Sequence, residues 1–322
     1  MHIRLFEHMA FLILGVSVVL SRQPARSIVL TKVMELGLND DFIKVEEIAS
    51  DSNDEVYVTD SYQFSVKKFN NRGILKAEFG KRGKNPGEFK SFPFKIDCLA
   101  DTLALVEVGS SKIELLTSTF TSLGEIPAGG PIVDIAFNRS GLIYAGMMPL
   151  SRRKEDVVML YDKSGAVVSK VPLTEVRGEP AFDMVHLAVD PHDNLVVAYR
   201  YVNNISIYGP RQEMIRSFRV SGFPDQSASQ KSKYEELGSL PEGDMIKDVA
   251  VDQRGHIFVL GGDYAKQPGR DVFVYAYDGT LMTTFTLPDK SGILHLDTRG
   301  YLYTRERQRS VVKKYKLDYV NF

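Results

Sequence analysis

The sequence predicts an all-β fold: a six-bladed β-propeller of four-stranded antiparallel blades, with the last blade closed by the N-terminal strand. Three observations lead there. First, an apolar pair and a small or polar residue lead into Asp, Asn or Cys, and a β-rich run begins five positions later. The six copies read IASDSNDEVYV, DCLADTLALV, IAFNRSGLIYA, LAVDPHDNLVVA, VAVDQRGHIFVL and LHLDTRGYLYT. Second, the equivalent positions, Asp51, Cys98, Asn138, Asp190, Asp252 and Asp297, lie 47, 40, 52, 62 and 45 residues apart, a period of propeller blades and not of helical solenoids. Third, apolar residues alternate within each copy, as Val249, Val251, Ile257 and Val259 do around the DQRG turn, so each copy is a hairpin.

The remaining strands follow in order. Each hairpin is succeeded by a variable loop and a third apolar run: SVKKF (65–69), KIELL (112–116), VVMLYD (157–162), ISIYG (205–209), VFVYAYD (272–278) and VVKKY (311–315). Fourth runs are ILKAEFG (74–80), SLGEIP (122–127), AVVSKVPL (166–173), EMIRSFRV (213–220) and TLMTTFTLP (280–288). The sixth copy stops too soon for a fourth strand, whereas SIVLTKVMELG (27–37) precedes the first copy with no blade of its own. That segment is expected to complete the last blade, closing the ring and covering its edge.

Residues 1–26 read as a leader and 27–322 as one propeller domain. The uncharged run Met9–Leu20 follows His2, Arg4 and His8, and Val19 and Ser21 offer a signal-peptide cleavage pattern after Ser21. Twelve apolar residues are short for a bilayer span, so the alternatives are an uncleaved anchor or a core strand. The expected location is extracytoplasmic, periplasmic or secreted. Cys98 is the only cysteine, which excludes an intrachain disulfide. With 40 basic and 41 acidic residues the chain has no overall field for nucleic acid.

The segment FGKRGKNPGEFKSFPFKI (79–96) has a Gly-punctuated turn, a G-x-F element and a Pro leading into the next innermost strand. Together with IAFNRSGLIYA and VAVDQRGHIFVL it resembles the linker and strand pair of NHL-repeat propellers, over residues 28–317. The Asn-x-Arg start of the third strand usual in that family is replaced by QFSV, SSKI, NNIS and QRSV. The resemblance implies a scaffold that binds protein or RNA through one face. Similar propellers also carry an axial metal and act as lactonases or lyases. Two channel histidines fall short of the three-histidine zinc site of the amidating lyases of this fold class.

Innermost strands line the central channel, and alternation puts the residues two and four before the Asp column on that lining. Two before are Ala49, Ile96, Ala136, Ala188, Ala250 and His295; four before are Glu47, Phe94, Asp134, His186, Asp248 and Ile293. Glu47, Asp134, His186 and Asp248 are therefore expected to converge on one mouth with His295 a step deeper, a donor set suited to Ca²⁺ or Zn²⁺. The alternative is a polar rim that needs no ligand. The Asp column itself is expected to build turns. The sequence lacks H-E-x-x-H, G-x-S-x-G, a CxxC pair, a P-loop and an EF-hand loop.

Partner-binding candidates lie in loops: Arg152 and Arg153, Arg305 and Arg307, and Tyr234 within the polar insertion 222–243. The expected function is a non-catalytic scaffold for a protein or other extracytoplasmic ligand, with no certain cofactor. A metal-dependent hydrolase or lyase of the channel, lactonase-like, is the competing expectation. An RNA-binding propeller is the third, and the basic loops interleaved with Asp and Glu argue against it.

Overall fold

The computed structural model describes residues 26–37, 41–148, 157–175, 183–221, 244–261, 269–306 and 310–322. The first strand, β1 (Ser27–Leu36), belongs to the last blade. Blade one holds β2 (Val45–Ser50), β3 (Val56–Asp60), β4 (Ser65–Phe69) and β5 (Leu75–Phe79). Blade two holds β6 (Pro93–Leu99), β7 (Thr102–Glu107), β8 (Lys112–Thr117) and β9 (Ser122–Pro127). Blade three holds β10 (Ile132–Phe137), β11 (Ile143–Met147), β12 (Val158–Tyr161) and β13 (Val167–Lys170). Blade four holds β14 (Val185–Val189), β15 (Leu195–Tyr199), β16 (Ile205–Tyr208) and β17 (Met214–Phe218). Blade five holds β18 (Ile246–Val251), β19 (Ile257–Gly261), β20 (Asp271–Tyr275) and β21 (Leu281–Thr286). Blade six holds β22 (Leu294–Leu296), β23 (Tyr301–Glu306), β24 (Val311–Val320) and, outermost, β1.

The closure expected from the sequence is present: β1 pairs antiparallel with β24 from Ser27↔Val320 to Leu36↔Val312. The third strand of this blade runs on to Val320, past the expected VVKKY run, because β1 offers it a partner along its whole length.

The Asp column builds turns, as expected. Asp190 Oδ1 accepts the N–H groups of His192 (2.7 Å) and Asn194 (2.8 Å), and Asp252 Oδ1 those of Arg254 and His256 (both 2.8 Å). Asp51, Asp297 and Asn138 do the same for their own turns. A short acceptor side chain thus satisfies N–H groups that the ladder cannot reach. In the linker before blade two, Glu88 accepts the N–H groups of Lys84 and Asn85 (both 3.1 Å), and the Phe89 ring packs where a Cβ on Gly80 would stand.

The core is divided into wedges between neighbouring blades. One cluster joins Ile113 and Leu115 of blade two to Ile135 and Ile143 of blade three. Another joins Leu260 and Val274 of blade five to Leu302, Leu317 and Ile28 of blade six. Near the axis, small residues sit opposite large ones on the next strand: Ala49 with Tyr57, Ala136 with Tyr144, Ala250 with Phe258. The ring leaves no room for two bulky side chains at that radius.

Blade two corrects one expectation. Its first turn is a residue shorter than the others, with Leu99 paired to Thr102 across Ala100, which has φ +52°, and Asp101. Leu99, not Cys98, therefore occupies the Asp column. Counting back from Leu99 replaces Phe94 and Ile96 on the channel lining by Lys95 and Asp97, because a slip of one residue moves every side chain to the other face.

Candidate functional site

With that register, the outer level of the channel is Glu47, Lys95, Asp134, His186, Asp248 and Ile293. The deeper level is Ala49, Asp97, Ala136, Ala188, Ala250 and His295. In four blades the inner strand shifts register next to the outer-level residue, between Val45 and Glu47, Pro93 and Lys95, Ile132 and Asp134, and Ile246 and Asp248. Such bulges re-aim a side chain. Glu47, Asp134, His186 and Asp248 do converge as the sequence suggested, with His295 one step deeper.

Lys95 is the residue that sequence reasoning missed, and it organises the level. Its ammonium bonds Glu47 Oε2 and lies 3.2 Å from Asp134 Oδ1, with its side chain only 13% exposed. Burial alone would lower its pKa, but Asp134 and Glu47, with Asp248 behind them, outweigh burial and hold it above the ordinary lysine value. Burial raises Glu47 above the ordinary carboxylate value despite Lys95, and raises Asp248 well above it.

The carboxylates are also spent on the backbone. Asp134 Oδ2 accepts the Leu187 N–H of the next blade (2.9 Å), and Asp248 Oδ2 accepts the Leu294 N–H of the next (2.7 Å). Their other oxygens accept the N–H groups of Ile135 (3.0 Å) and Val249 (2.9 Å). One level down, Asp97 Oδ2 accepts the Phe137 N–H (2.7 Å), again across a blade boundary. These acids staple inner strands together. Lys95 stands among them as a cation, and the oxygens of Asp134 and Asp248 that a metal would use already accept backbone N–H groups. Among the described residues no three His, Cys, Asp or Glu side chains are placed to hold one.

The two histidines differ. His295 Nε2 is 2.7 Å from Ser50 Oγ, joining blade six to blade one, and burial pushes its pKa down to about 4. His186 Nδ1 stands 3.9 Å from both Asp134 Oδ2 and Asp248 Oδ1, too far for a hydrogen bond. Neither of its ring nitrogens has a hydrogen-bond partner in the described structure. Burial, then Lys95, hold the ring well below the ordinary histidine pKa, so it is neutral.

Two cavities meet at this ion-paired level. On the turn side, one of about 390 Å³ is lined by Asp97, His295, Asn138, Arg139, Gln253 and Thr298. On the opposite side, one of about 340 Å³ is lined by Lys95, His186, Arg200, Asp244, Lys247 and Arg305. Arg305 is a β23 residue and not a loop residue as expected: its guanidinium bonds the Val45 carbonyl of blade one. Arg152, Arg153, Tyr234 and Arg307 lie outside the described residues, as do the insertion 222–243 and the apolar run near the N-terminus.

Asp97 titrates near neutrality. Burial raises its pKa to about 7 against the two N–H bonds from Phe137 and Cys98. A carboxyl whose folded pKa is raised contributes stability that is full below the unfolded value and lost as pH rises through the folded one. His186 and His295, held low, run in the opposite sense, so the test is a difference between two chains. Relative to the parent, Asp97→Asn should gain about 2–3 kcal/mol on going from about pH 5 to about pH 8, read from urea midpoints. Parallel profiles for parent and variant would contradict this.

The propeller is shared with proteins of several kinds. A catalytically inactive histidine-to-alanine variant of virginiamycin B lyase from Staphylococcus aureus, solved with quinupristin, superposes with a TM-score of 0.59 at 11% identity, covering 91% of this chain and 100% of that one. The WD40 β-propeller domain of Doa1 gives 0.55 at 13%, covering 89% and 97%. Hydrazine synthase from Kuenenia stuttgartiensis gives 0.57 at 14%, covering 83% and 75%. At these identities the likeness shows the fold alone. No family model matches the sequence, and no curated protein sequence matches it.

Proposed function

We propose that this chain is an exported, NHL-like propeller that acts as a non-catalytic binding scaffold. It holds a protein or other extracytoplasmic ligand on the face where the channel opens beside His186, Arg200 and Arg305. One observation carries the reading: Glu47 and Asp134 are paired with Lys95, and Asp134 and Asp248 are tied to the backbone of the next blade, which is the state of structural groups. Export rests on the apolar run Met9–Leu20. Arg152, Arg153, Tyr234 and Arg307 stay partner-binding candidates on the sequence argument above.

A second reading is supported by Asp97. A carboxyl that exchanges its proton near neutral pH, in a cavity of about 390 Å³, suits general acid–base work. Lyases occur among the structural neighbours. In that case the chain would act on a small substrate in the turn-side chamber.

The two readings separate by capture of a partner from the extracytoplasmic fraction, using the full chain and two variants. The scaffold reading expects the Arg200→Glu, Lys247→Glu double variant to lose a partner that Asp97→Asn keeps. Loss with Asp97→Asn and retention by the rim variant would overturn it in favour of the chamber.

A further inference from the structure

The turn-side chamber holds a carboxyl that lacks a counter-ion. Asp97 stands at the deeper level of the channel, where Ala136, Ala188 and Ala250 on other blades leave a space of about 390 Å³. Its two oxygens accept one N–H each, from Cys98 (2.8 Å) and Phe137 (2.7 Å), and a carboxylate oxygen can accept a second. Among the described residues no ammonium, guanidinium or imidazole lies within ion-pair distance of it. The largest charge effects on it come from Asp134 and Glu47, which are carboxylates themselves. The two cations on the chamber lining are engaged elsewhere. Lys95 bonds Glu47 and Asp134, and Arg139, exposed at the rim, donates from Nη1 to the Pro191 carbonyl (2.7 Å). Of the other acids on the lining, Asp248 gives both oxygens to backbone N–H groups and Asp190 gives both to its own turn. Lys95 and Arg139 thus face Glu47, Asp97, Asp134, Asp190 and Asp248, and of these acids Asp97 is the one left to the chamber.

We infer that this chamber binds a small amine with an apolar body, its ammonium on Asp97. An ammonium brings three donors for the remaining lone pairs and the positive charge that the acid-rich lining is short of. Leu99, Val251 and Leu296 line the same space and take the apolar body, and the volume, at the lower end for small-molecule pockets, suits a single ring. A neutral alcohol would meet the lone pairs without the charge, and an anion would face carboxylates. Without a cation, Asp97 offsets its burial by keeping a proton up to about pH 7, so an amine must displace that proton and binds more tightly as pH rises through that value. Glu47 and Asp248, raised by burial too, act in the same sense, while Lys95 and Arg139 stay charged and His295 and His186 stay neutral. The inference goes beyond the scaffold reading: the site lies on the turn side, away from the proposed binding face, and holds whether or not Asp97 also transfers protons.

The test uses the full chain and three probes that share one ring: cyclohexylamine, cyclohexanol and cyclohexanecarboxylate. Cys98 is the only cysteine and its N–H bonds Asp97 Oδ1, so cysteine-selective isotope labelling gives a single amide resonance beside the site, followed by NMR. At about pH 8, millimolar cyclohexylamine should shift that resonance saturably and bind about tenfold or more tightly than the alcohol, with no shift from the carboxylate. At about pH 5 the amine's affinity should fall by about tenfold or more. Asp97→Asn, checked for a cooperative unfolding transition, should bind the amine no better than the alcohol. No shift with the amine, equal affinity for amine and alcohol, or an amine affinity that is the same at both pH values would overturn the inference, and none of these readings needs the variant. A failed amine titration leaves the scaffold reading standing, because partner capture is scored at the opposite mouth.

Discussion

A chain lacking residues 1–37 is expected to lose most of its stability in one cooperative step. Strand β1 is the outermost strand of blade six and pairs with β24 along its length, with Ile28 and Leu36 buried against the adjoining wedges. That blade has the shortest inner strand, Leu294–Leu296, so it depends on its long outer pair. Without β1, β24 becomes a bare ten-residue edge, and the wedges on both sides of blade six lose apolar contacts. Domains of this kind are held by only about 5–15 kcal/mol, so loss of a ten-residue strand consumes most of that margin. Urea denaturation of the shortened chain should show a transition far below that of the parent, or none. A midpoint equal to the parent's would show that the ring closes elsewhere.

Replacing Lys95 by Met should cost about 3–5 kcal/mol, the usual penalty for leaving a buried charge without its partner. Here the orphaned groups are Glu47 and Asp134, and Asp248 also loses the field that opposes its raised pKa. The remedy open to the variant is to take up protons. Its deficit should therefore shrink as pH falls through the raised carboxyl values, and adding Glu47→Gln should restore part of the loss at neutral pH. Denaturant midpoints of parent, single and double variants at about pH 5 and about pH 8 measure both effects. A Lys95→Met variant as stable as the parent at the higher pH would mean that the channel carboxylates are not held by the ammonium.

Much of the channel was legible before the fold was known. Glu47, Asp134, His186 and Asp248 lie four residues before a turn-forming Asp or Asn, and a strand's strict alternation makes that count reliable where the turn has its usual length. Lys95 and Asp97 were missed for the same reason that the others were found. The blade-two turn is one residue shorter, Cys98 looked like the column residue, and the count landed on Phe94 and Ile96. A signal was present, since DCLADTLALV leaves less chain between its two runs than the other copies do. Arg305 was placed in a loop because RERQR is uniformly polar, yet strand pairing with β24 extends through Glu306.

The sequence by itself determined the number of blades, the strands in each, the turns at the Asp column and closure by the N-terminal segment. Those properties are local or periodic: side-chain alternation, turn-forming acceptors and a repeat length survive inspection one copy at a time. Only the tertiary structure decided that an ammonium stands among the channel carboxylates, that Asp97, Asp134 and Asp248 bind the backbone of the next blade, and that the His186 ring nitrogens find no hydrogen-bond partner among the described residues. Each of those facts joins side chains roughly 40–60 residues apart or more, and across such spans a single-residue difference in one turn decides which side chain meets the axis.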